Sequence, residues 1–321
     1  MSIVPIQEIH GYQLQKFIGS GVNASVYLAQ NQRHHVAIKL RRRSEGTYEP
    51  LLLKRFYESV RLHHMFCHPN IVWLYDWYED EEYQALILEY VAGGTLTDLC
   101  KQKKQWSRLE LCTLGVAIAD GLDHMHDIQI IHRDLKPDNL IFADTQDMRS
   151  VKITDFGVSK HPIVSPTITE PGSHVGTMWY SSPEQFDQAQ AHPLFDIYSL
   201  GIVLYQVAAG RLPFEPLQMP TLMRRFIDHE PLVPLSRYCQ VGKGFQWVVE
   251  KAACSHRSQR IPNAATVASL LMLLEPTLFE TYDRAYLLKR RTDRKWIKNT
   301  VQQAPLAVQQ EIMPYFSYYF E

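Results

Sequence analysis

A dense group of charged and amide side chains lies between two apolar runs in residues 131–142, IHRDLKPDNLIF. Five such side chains fall close together: Arg133, Asp134, Lys136, Asp138 and Asn139. A core strand would not carry this set, because burying an unpaired charge is costly. A plain surface loop, in turn, needs no apolar anchor at each end. The pattern therefore predicts a rigid loop that holds polar groups over a cleft.

A second candidate is the tripeptide DFG at residues 155–157, which follows the segment VKIT. A carboxylate at the end of a strand suits Mg²⁺, which takes one or two carboxylates and fills its shell with water and phosphate. Asp155 is the predicted ligand, and Asn139 could offer its amide oxygen to the same ion. Asp134 would then be free to accept a proton, and Lys136 could neutralise charge on a transferred phosphoryl group.

The segment GSGVNASV at residues 19–26 could approach a phosphate. Glycines let the backbone come close to a ligand and turn its amide groups towards phosphate oxygens. The alternative is an ordinary hairpin turn. A Rossmann dinucleotide motif would have to open a helix, but this segment leads into a strand, so that interpretation is excluded.

Lys39 ends the apolar segment VAIK. An ammonium group that points into an interior or a cleft needs anionic partners, and the phosphates of a nucleotide or a glutamate would serve. The alternative is a lysine that reaches from an edge strand into solvent.

The elements that must position these motifs change in character along the chain. The first ninety residues contain strand-like segments (YQLQKFIGSG, ASVYLAQ, HHVAIKL, IVWLYDWYED and YQALILEYV) around one helical segment, LLLKRFYESVRLHHMF. After the glycine pair in AGGTL the segments become helical, as in LELCTLGVAIADGLDHMHD and FDIYSLGIVLYQVAAG. An α+β protein with a small β lobe, a hinge and a larger helical lobe is expected.

The composition excludes several classes of protein. The chain has 321 residues, of which 45% are hydrophobic and 21% charged, as in a soluble globular protein with room for two lobes. A formal net charge of −1 argues against a nucleic-acid coating protein. The five cysteines include no CxxC pair, which indicates reduced thiols. No apolar stretch is long enough to span a bilayer, so a cytoplasmic protein is expected.

Taken in order, the motifs resemble those of the eukaryotic-type serine/threonine protein kinase family, and of its bacterial members in particular. The resemblance rests on GSGVNASV, VAIK, HRDLKPDN, DFG, GTMWYSSPEQ, DIYSLG and Arg260. It implies the bilobal kinase fold and divides the chain into a lead-in (1–11), a small lobe (12–88), a hinge (89–94), a large lobe (95–275) and an extension (276–321).

The resemblance implies transfer of the γ-phosphoryl group of Mg-ATP to a serine or threonine hydroxyl of a protein, including the enzyme itself. Lys39 would hold the α- and β-phosphates, and Asp134 would orient and deprotonate the substrate hydroxyl. Asn139 and Asp155 would bind Mg²⁺. The catalytic-loop lysine, Lys136, is typical of the serine/threonine class.

Thr177 in GTMWY supports the same class, because a threonine there contacts the catalytic aspartate and lysine in serine/threonine kinases. Leu88 falls at the gatekeeper position, before the hinge that contacts adenine. Ala24 replaces the third glycine of the usual pattern and keeps a small side chain there. The predicted nucleotide-binding residues are Ile18, Gly19, Ser20, Gly21, Val26, Ala37, Lys39, Leu88, Glu89, Val91 and Ile141.

The family's helix-C glutamate should lie nine residues before the histidine of HPN, His68. That count gives Ser59, whereas Glu58 is ten residues away. Glu58 is nevertheless the predicted partner of Lys39, because Leu62 then falls one turn later, where the family places a spine leucine. The alternative is that Glu58 is a solvated surface acid.

Three further residues have predicted bracing or switching roles. Glu184 should pair with Arg260, and Asp196 should support the catalytic loop. Arg133 could pair with a phosphate on the activation segment. The candidate sites of phosphorylation are Ser165, Thr167, Thr169 and Ser173; the alternative is that their hydroxyls only make this loop soluble.

The extension carries the basic run KRRTDRK and the aromatic run MPYFSYYFE. It is expected to be a helical addition packed on the large lobe; a docking site for a partner protein and an autoinhibitory segment are the alternatives. Two other functions compete with that of a protein kinase. A pseudokinase scaffold is opposed by the intact set Lys39, Asp134, Asn139 and Asp155. The activation segment ends in SSPE, which is a feature of peptide binding. This argues against a small-molecule phosphotransferase.

Overall fold

The computed structural model describes residues 7–20, 24–43, 49–156, 175–186, 190–214, 219–281 and 292–320. Gly21 and the four candidate phosphorylation sites of the activation segment lie outside the described residues. Thr177 lies in the 3-10 helix Val175–Tyr180, but its side chain is outside the description.

The small lobe is built on a six-stranded antiparallel sheet with the strand order β1-β2-β3-β4-β6-β5. Its strands are β1 (Glu8–Ile9), β2 (Tyr12–Ser20), β3 (Ser25–Gln30), β4 (His35–Arg42), β5 (Leu74–Glu79) and β6 (Tyr83–Glu89). Strand β1 was not predicted. Ile9 is buried with Ala29, Val36 and Ile87, so the sheet begins inside the expected lead-in.

Helix α1 (Glu49–His63) lies against one face of this sheet. Its residue Val60 is buried with Leu74, Leu86 and Leu88 of the strands. Apolar residues three to four positions apart share one helical face, which explains why this segment is helical and why that face is covered.

A glycine pair joins the two lobes. Strands β7 (Leu140–Phe142) and β8 (Val151–Ile153) form a hairpin at the edge of the large lobe. The amide of Gly93 donates to the carbonyl oxygen of Phe142 at 2.7 Å, and the amide of Phe142 donates to the carbonyl oxygen of Gly94 at 2.9 Å. A Cβ on Gly93 would come within 2.5 Å of the Phe142 oxygen, and Gly94 has φ +83°. Only glycine fits both positions.

The same hairpin also holds the loop that follows α1. The amide of Ile153 donates to the carbonyl oxygen of Asn70 at 2.8 Å, and the amide of Val72 donates to that of Ile153 at 3.0 Å. The Asn70 side chain donates to the carbonyl oxygens of Arg149 and Val151, each at 2.8 Å. The asparagine of HPN therefore ties the small lobe to β8.

The large lobe is helical. Its described helices are α2 (Leu96–Gln102), α3 (Arg108–Asp127), α4 (Pro183–Phe186), α5 (Leu194–Ala209), α6 (Met219–Ile227), α7 (Lys243–Ala252), α8 (Ala264–Leu274), α9 (Leu278–Thr281), α10 (Arg294–Gln302) and α11 (Leu306–Phe320). Helix α3 packs against α5 and α8 at the centre of the core. Within the described ranges, no helix combines the length and apolar character needed to cross a membrane.

Helices α10 and α11 of the extension pack on α7 and α8. Glu311 accepts hydrogen bonds from the amides of Lys243 and Gly244 at 3.1 and 3.2 Å, and so caps the first turn of α7. The same carboxylate lies 3.5 Å from the guanidinium of Arg108 on α3. The buried side chains of these two helices are Ile297, Val301, Val308, Ile312 and Phe316. This is the arrangement expected of a helical addition to the lobe.

Candidate active site

The catalytic-loop segment is held from below by Asp196 of α5, as predicted. The amides of His132 and Arg133 donate to its two carboxylate oxygens at 2.9 and 2.8 Å, and His126 Nε2 lies 2.8 Å from it. Asp196 is fully buried. Burial by itself would raise the pKa of Asp196, but the hydrogen bonds from His126 and from the loop backbone bring it below the ordinary value. The loop therefore rests on a buried negative charge.

Asp134 stands at the centre of the loop. Its Oδ2 accepts hydrogen bonds from Lys136 Nζ at 3.0 Å and from Asn139 Nδ2 at 3.1 Å. Its Oδ1 is buried and has no donor among the described residues. One carboxylate oxygen is thus fixed by two donors, while the other is left to accept a hydrogen bond from a hydroxyl that enters the site.

Asn139 links the loop to strand β8. Its Nδ2 donates to the backbone carbonyl oxygen of Asp134 at 2.8 Å, and its own backbone carbonyl oxygen accepts a hydrogen bond from the backbone amide of Thr154 at 3.0 Å. Because Nδ2 donates to two oxygen atoms of Asp134, the amide oxygen Oδ1 is not part of these contacts. The backbone pair with Thr154 also brings Asn139 close to the residue that follows Thr154.

That residue is Asp155, which has φ +64° and lies two residues after the end of β8. Lys39 Nζ of β4 lies 2.6 Å from its Oδ1. The Lys39 ammonium lowers the pKa of Asp155 to about 2, against the opposing effect of burial. The carboxylate is therefore ionised near pH 7. The structure brings these residues of the VAIK and DFG motifs into direct contact.

Asp155 and Asn139 fit a magnesium ion. The described residues contain no group of three or more His, Cys, Asp or Glu side chains able to hold a metal. A single carboxylate with one amide oxygen is instead the incomplete set that Mg²⁺ accepts when phosphate and water complete its shell. The donor chemistry favours a metal that arrives with a phosphorylated ligand.

Apolar residues of both lobes form a cluster beside these charges. Ala37 of β4 pairs across the sheet with Leu88 of β6. Leu88 and Val91 are buried in this apolar cluster, and Ala37 and Ile141 pack against it. Because Ile141 belongs to β7, both lobes contribute to the cluster. An apolar ring would fit next to it better than a charged group would.

The other described residues that are predicted to bind nucleotide lie on β2, β3 and β6 of the small lobe. Gly19 of β2 lies opposite Val26 of β3, with Ser20 next to it and Ile18 41% exposed. The Glu89 carboxylate lies 3.1 Å from Lys152 Nζ, so it contacts the large lobe.

The last turn of α1 packs on Phe156 of the DFG motif. The ring of Phe156 meets His63 at 4.7 Å between centroids, Phe66 at 4.8 Å and His132 at 5.4 Å. Leu62 is buried in the same core, but the side chain that stacks edge-on against Phe156 is His63. Sequence reasoning missed His63, although it lies one turn after Ser59, the position nine residues before His68.

Glu58 lies on α1, as predicted, with its carboxylate 4.0 Å from Lys54 Nζ and 30% exposed. Its pairing with Lys39 stays a prediction. Arg133 has φ +69°, and its buried Nε has no hydrogen-bond partner among the described residues. Its pairing with a phosphorylated activation segment also stays a prediction, because the candidate hydroxyls are outside those residues.

The chain was compared with known proteins. Residues 12–268 match the protein kinase domain family. Serine/threonine-protein kinase PrkC of Bacillus subtilis is 35% identical over 206 residues, which are 64% of this chain and 31% of that protein. Serine/threonine-protein kinase PknB of Mycobacterium leprae is 29% identical over 290 residues, 86% of this chain and 46% of that protein. The PknB of Mycobacterium tuberculosis is 30% identical over 268 residues, or 81% and 42%. This chain spans less than half the length of these relatives.

Proposed function

The chain belongs to the protein kinase family, and we propose that it is a serine/threonine kinase that phosphorylates proteins, itself included, with Mg-ATP. The observation that carries this proposal is Asp134, whose Oδ2 is fixed by Lys136 and Asn139 while its buried Oδ1 has no donor among the described residues. A carboxylate held in this way can orient a hydroxyl and accept its proton.

Mg-ATP would supply the phosphoryl group and its leaving group. Asp155 and Asn139 would hold the metal, since Asp155 offers an ionised carboxylate and Asn139 offers an amide oxygen. Lys39 would hold the α- and β-phosphates from the side of the small lobe. Its ammonium already lies against Asp155 at 2.6 Å, so the metal and phosphate contacts would be adjacent.

The adenine ring would lie against the apolar cluster of the two lobes. Ala37 and Leu88 would cover it from the small lobe, and Ile141 from the large lobe. The backbone of Glu89 to Val91 would provide the polar contacts of the hinge. Ile18, Gly19, Ser20, Gly21 and Val26 would cover the ribose and phosphates.

Lys136 would stabilise charge that develops on the transferred group. Its Nζ lies 3.0 Å from Asp134 Oδ2, so the carboxylate that accepts the proton and the ammonium that stabilises the charge would both be close to the transferred group. Electrostatic groups fixed before the reaction contribute strongly to catalysis, because they need no reorganisation when charge moves. Thr177 is the further contact that we assign to this pair.

The serine/threonine class is supported by the names of the relatives, which are serine/threonine-protein kinases, and by Lys136 in the catalytic loop. All five cysteines are unpaired in the structure, which fits a reducing compartment, and we assign the kinase domain to the cytoplasm. The partners are ATP and protein substrates. A docking protein for the extension stays a prediction.

The test uses the full chain with Mg-ATP labelled in the γ-phosphate and a general protein substrate such as casein. We expect label on serine or threonine in the wild type and its loss in Asp134→Asn. The matched control is Asp138→Asn, in the same loop, whose exposed carboxylate contacts Thr97. Nucleotide binding without transfer by the wild type would favour the pseudokinase, and labelled tyrosine would contradict the class.

A further inference from the structure

Gln185 links the helix that follows the activation segment to the catalytic loop. It lies in α4, and its Nε2 donates a hydrogen bond to the backbone carbonyl oxygen of Arg133 at 3.2 Å. Its Oε1 accepts hydrogen bonds from the amide and the hydroxyl of Ser182 at 2.9 and 3.2 Å. This half-buried side chain therefore uses both ends of its amide group, one on each segment.

The contacts with Ser182 are those of a capping box at the start of α4. In this motif the N-cap serine is followed three residues later by Glu or Gln, whose side-chain oxygen accepts a hydrogen bond from the amide of the serine. Ser182 is fully buried, so its polar groups need such an acceptor. Glutamate would serve the motif as well as glutamine does, because only an oxygen takes part. The cap therefore does not explain the Nε2 donor of Gln185.

The acceptor for that donor is a backbone group next to the catalytic aspartate. The carbonyl of Arg133 belongs to the peptide group that joins Arg133 to Asp134. The amide of the same peptide group donates to Nδ1 of His132 at 3.2 Å. The peptide group thus has a partner on each side, and Gln185 supplies the one from outside the loop. Because a peptide group is planar, its orientation helps to set the direction of the Asp134 side chain.

The backbone of Arg133 needs this support because it lies in the left-handed region, with φ +69°. A residue with a side chain adopts this region at a cost in free energy, and the conformation persists only where the surroundings hold it. The amide of Arg133 donates to Asp196 of α5 at 2.8 Å, and its carbonyl oxygen accepts from Gln185 of α4. Hydrogen bonds to two different helices therefore hold the two polar groups of this residue.

We propose that Gln185 is a positioning residue for Asp134: its Nε2 holds the peptide group before the catalytic aspartate, while its Oε1 binds Ser182 at the start of α4. The neighbouring residue Glu184 pairs with the buried Arg260, which gives α4 a fixed place in the lobe. The inference rests on the proposed function, in which Asp134 orients the substrate hydroxyl and accepts its proton. Through Gln185, the end of the activation segment and the catalytic loop adopt their positions together.

Two variants separate this role from that of a helix cap. Gln185→Glu keeps an oxygen for Ser182 but replaces the donor to Arg133 by a second acceptor. Gln185→Met keeps a side chain of similar length and has no amide group. We expect both variants to lower kcat on casein by about tenfold, the range of one lost hydrogen bond and a slightly misplaced reacting group, and to change the KM for ATP less than about twofold. Wild-type kcat in Gln185→Glu would show a cap only and overturn the inference.

The matched control is Gln246→Met on α7. Gln246 is also half-buried and also uses both ends of its amide group, since its Oε1 accepts from the amide of Ser236 at 3.0 Å and its Nε2 donates to Glu250 at 2.9 Å. None of the proposed site residues lies on α7, so kcat should stay within about twofold of the wild-type value. A fall in kcat equal to that of Gln185→Met would show a general effect on the lobe and overturn the inference.

Hydrogen exchange gives a readout that requires no phosphoryl transfer. Mass spectrometry follows exchange in peptides that cover residues 131–140. We expect both Gln185 variants to exchange these amides faster by about tenfold, because the lost hydrogen bond frees the peptide group before Asp134, whereas Gln246→Met should match the wild type. Unchanged exchange in both Gln185 variants would overturn the inference, whatever their kcat.

The exchange result also keeps the inference apart from the proposed function. Failure of the wild type to label any protein with Mg-ATP would remove the proposed kinase activity, but exchange would still decide whether Gln185 holds the loop. Thermal melting checks the fold. Gln185→Glu retains the cap of α4 and should melt close to the wild-type temperature, so its faster exchange would be a local effect on the catalytic loop.

Discussion

Arg260 and Glu184 form a two-pronged ion pair inside the large lobe, with NH1 2.6 Å from Oε1 and NH2 3.1 Å from Oε2. Arg260 also donates to the carbonyl oxygens of Leu194 and Cys254 at 2.8 and 2.9 Å, and its guanidinium lies over the ring of Tyr198. The side chain is fully buried. It therefore joins α4, which follows the activation segment, to α5 and to the loop before α8.

Replacing Arg260 by methionine should lower the free energy of unfolding by about 3–5 kcal/mol, because it leaves a mostly buried carboxylate without its partner. Urea denaturation measures this loss. Arg257→Met is the control, since Arg257 is exposed in the neighbouring 3-10 helix and should change stability by less than about 0.5 kcal/mol. Equal losses in the two variants would show that the pair does not stabilise the lobe.

Asp155→Ala should abolish magnesium-dependent phosphoryl transfer and leave the fold largely intact. The loss should be at least about a hundredfold to a thousandfold, the effect of removing one group that stabilises transition-state charge. Transfer rates across a magnesium titration measure it, with circular dichroism as the check on folding. Asp144→Ala, an exposed acid in the loop between β7 and β8, is the control. Near wild-type activity of Asp155→Ala would refute its assignment as a metal ligand.

Glu311→Ala should destabilise the large lobe although it lies far along the chain from the site. Its carboxylate caps α7 and approaches Arg108 on α3, and loss of a charged cap costs about 1–2 kcal/mol. Guanidinium denaturation of the full chain gives the value. Gln310→Ala changes an exposed neighbour and should have little effect. If both variants have wild-type stability, the extension is not anchored through this carboxylate.

Acid should destabilise the protein partly through His63. Its folded pKa of about 4 is below the unfolded value of 6.5, so the unfolded state binds the proton first as the pH falls. Stability is thus intact above pH 6.5 and declines between 6.5 and 4, by about 2 kcal/mol at pH 5 from this group alone. Urea denaturation at pH 7 and pH 5 should show a smaller fall in His63→Leu than in the wild type. Identical falls would mean that His63 titrates normally.

The motif residues were predictable because their order and spacing are dictated by the chemistry. Asp134 and Asn139 contact each other, and Asn139 pairs with Thr154 next to Asp155, since the loop and the strand that carry them are close in sequence and joined by short turns. The pair Glu184 and Arg260 was also foreseen, although its members are far apart in the chain, because the resemblance to the protein kinase family implies it.

Other features depended on information that no short pattern contains. Strand β1 is only two residues long, so its segment has no period to detect. Helix α2 has a capping box, Thr95 with Asp98, which was a usable signal that went unnoticed. The orientation of α1 is the clearest case, because a shift of one residue turns a side chain by about 100° around the helix. The tertiary contact of His63 with Phe156 reveals the orientation that counting from His68 left open.

The hairpin of β7 and β8 has a mechanical consequence. The small lobe is tied to it twice by backbone pairs, once from Gly93 and Gly94 to Phe142 and once from Asn70 and Val72 to Ile153. Two fixed points define an axis of rotation. Relative motion of the lobes that preserves both ties is a rotation about that line, so displacement grows with distance from it. Val91 and Ile141, which are close in the chain to the tied residues, then move little, whereas Gly19 and Ser20 at the end of β2 are held by neither tie and can move further.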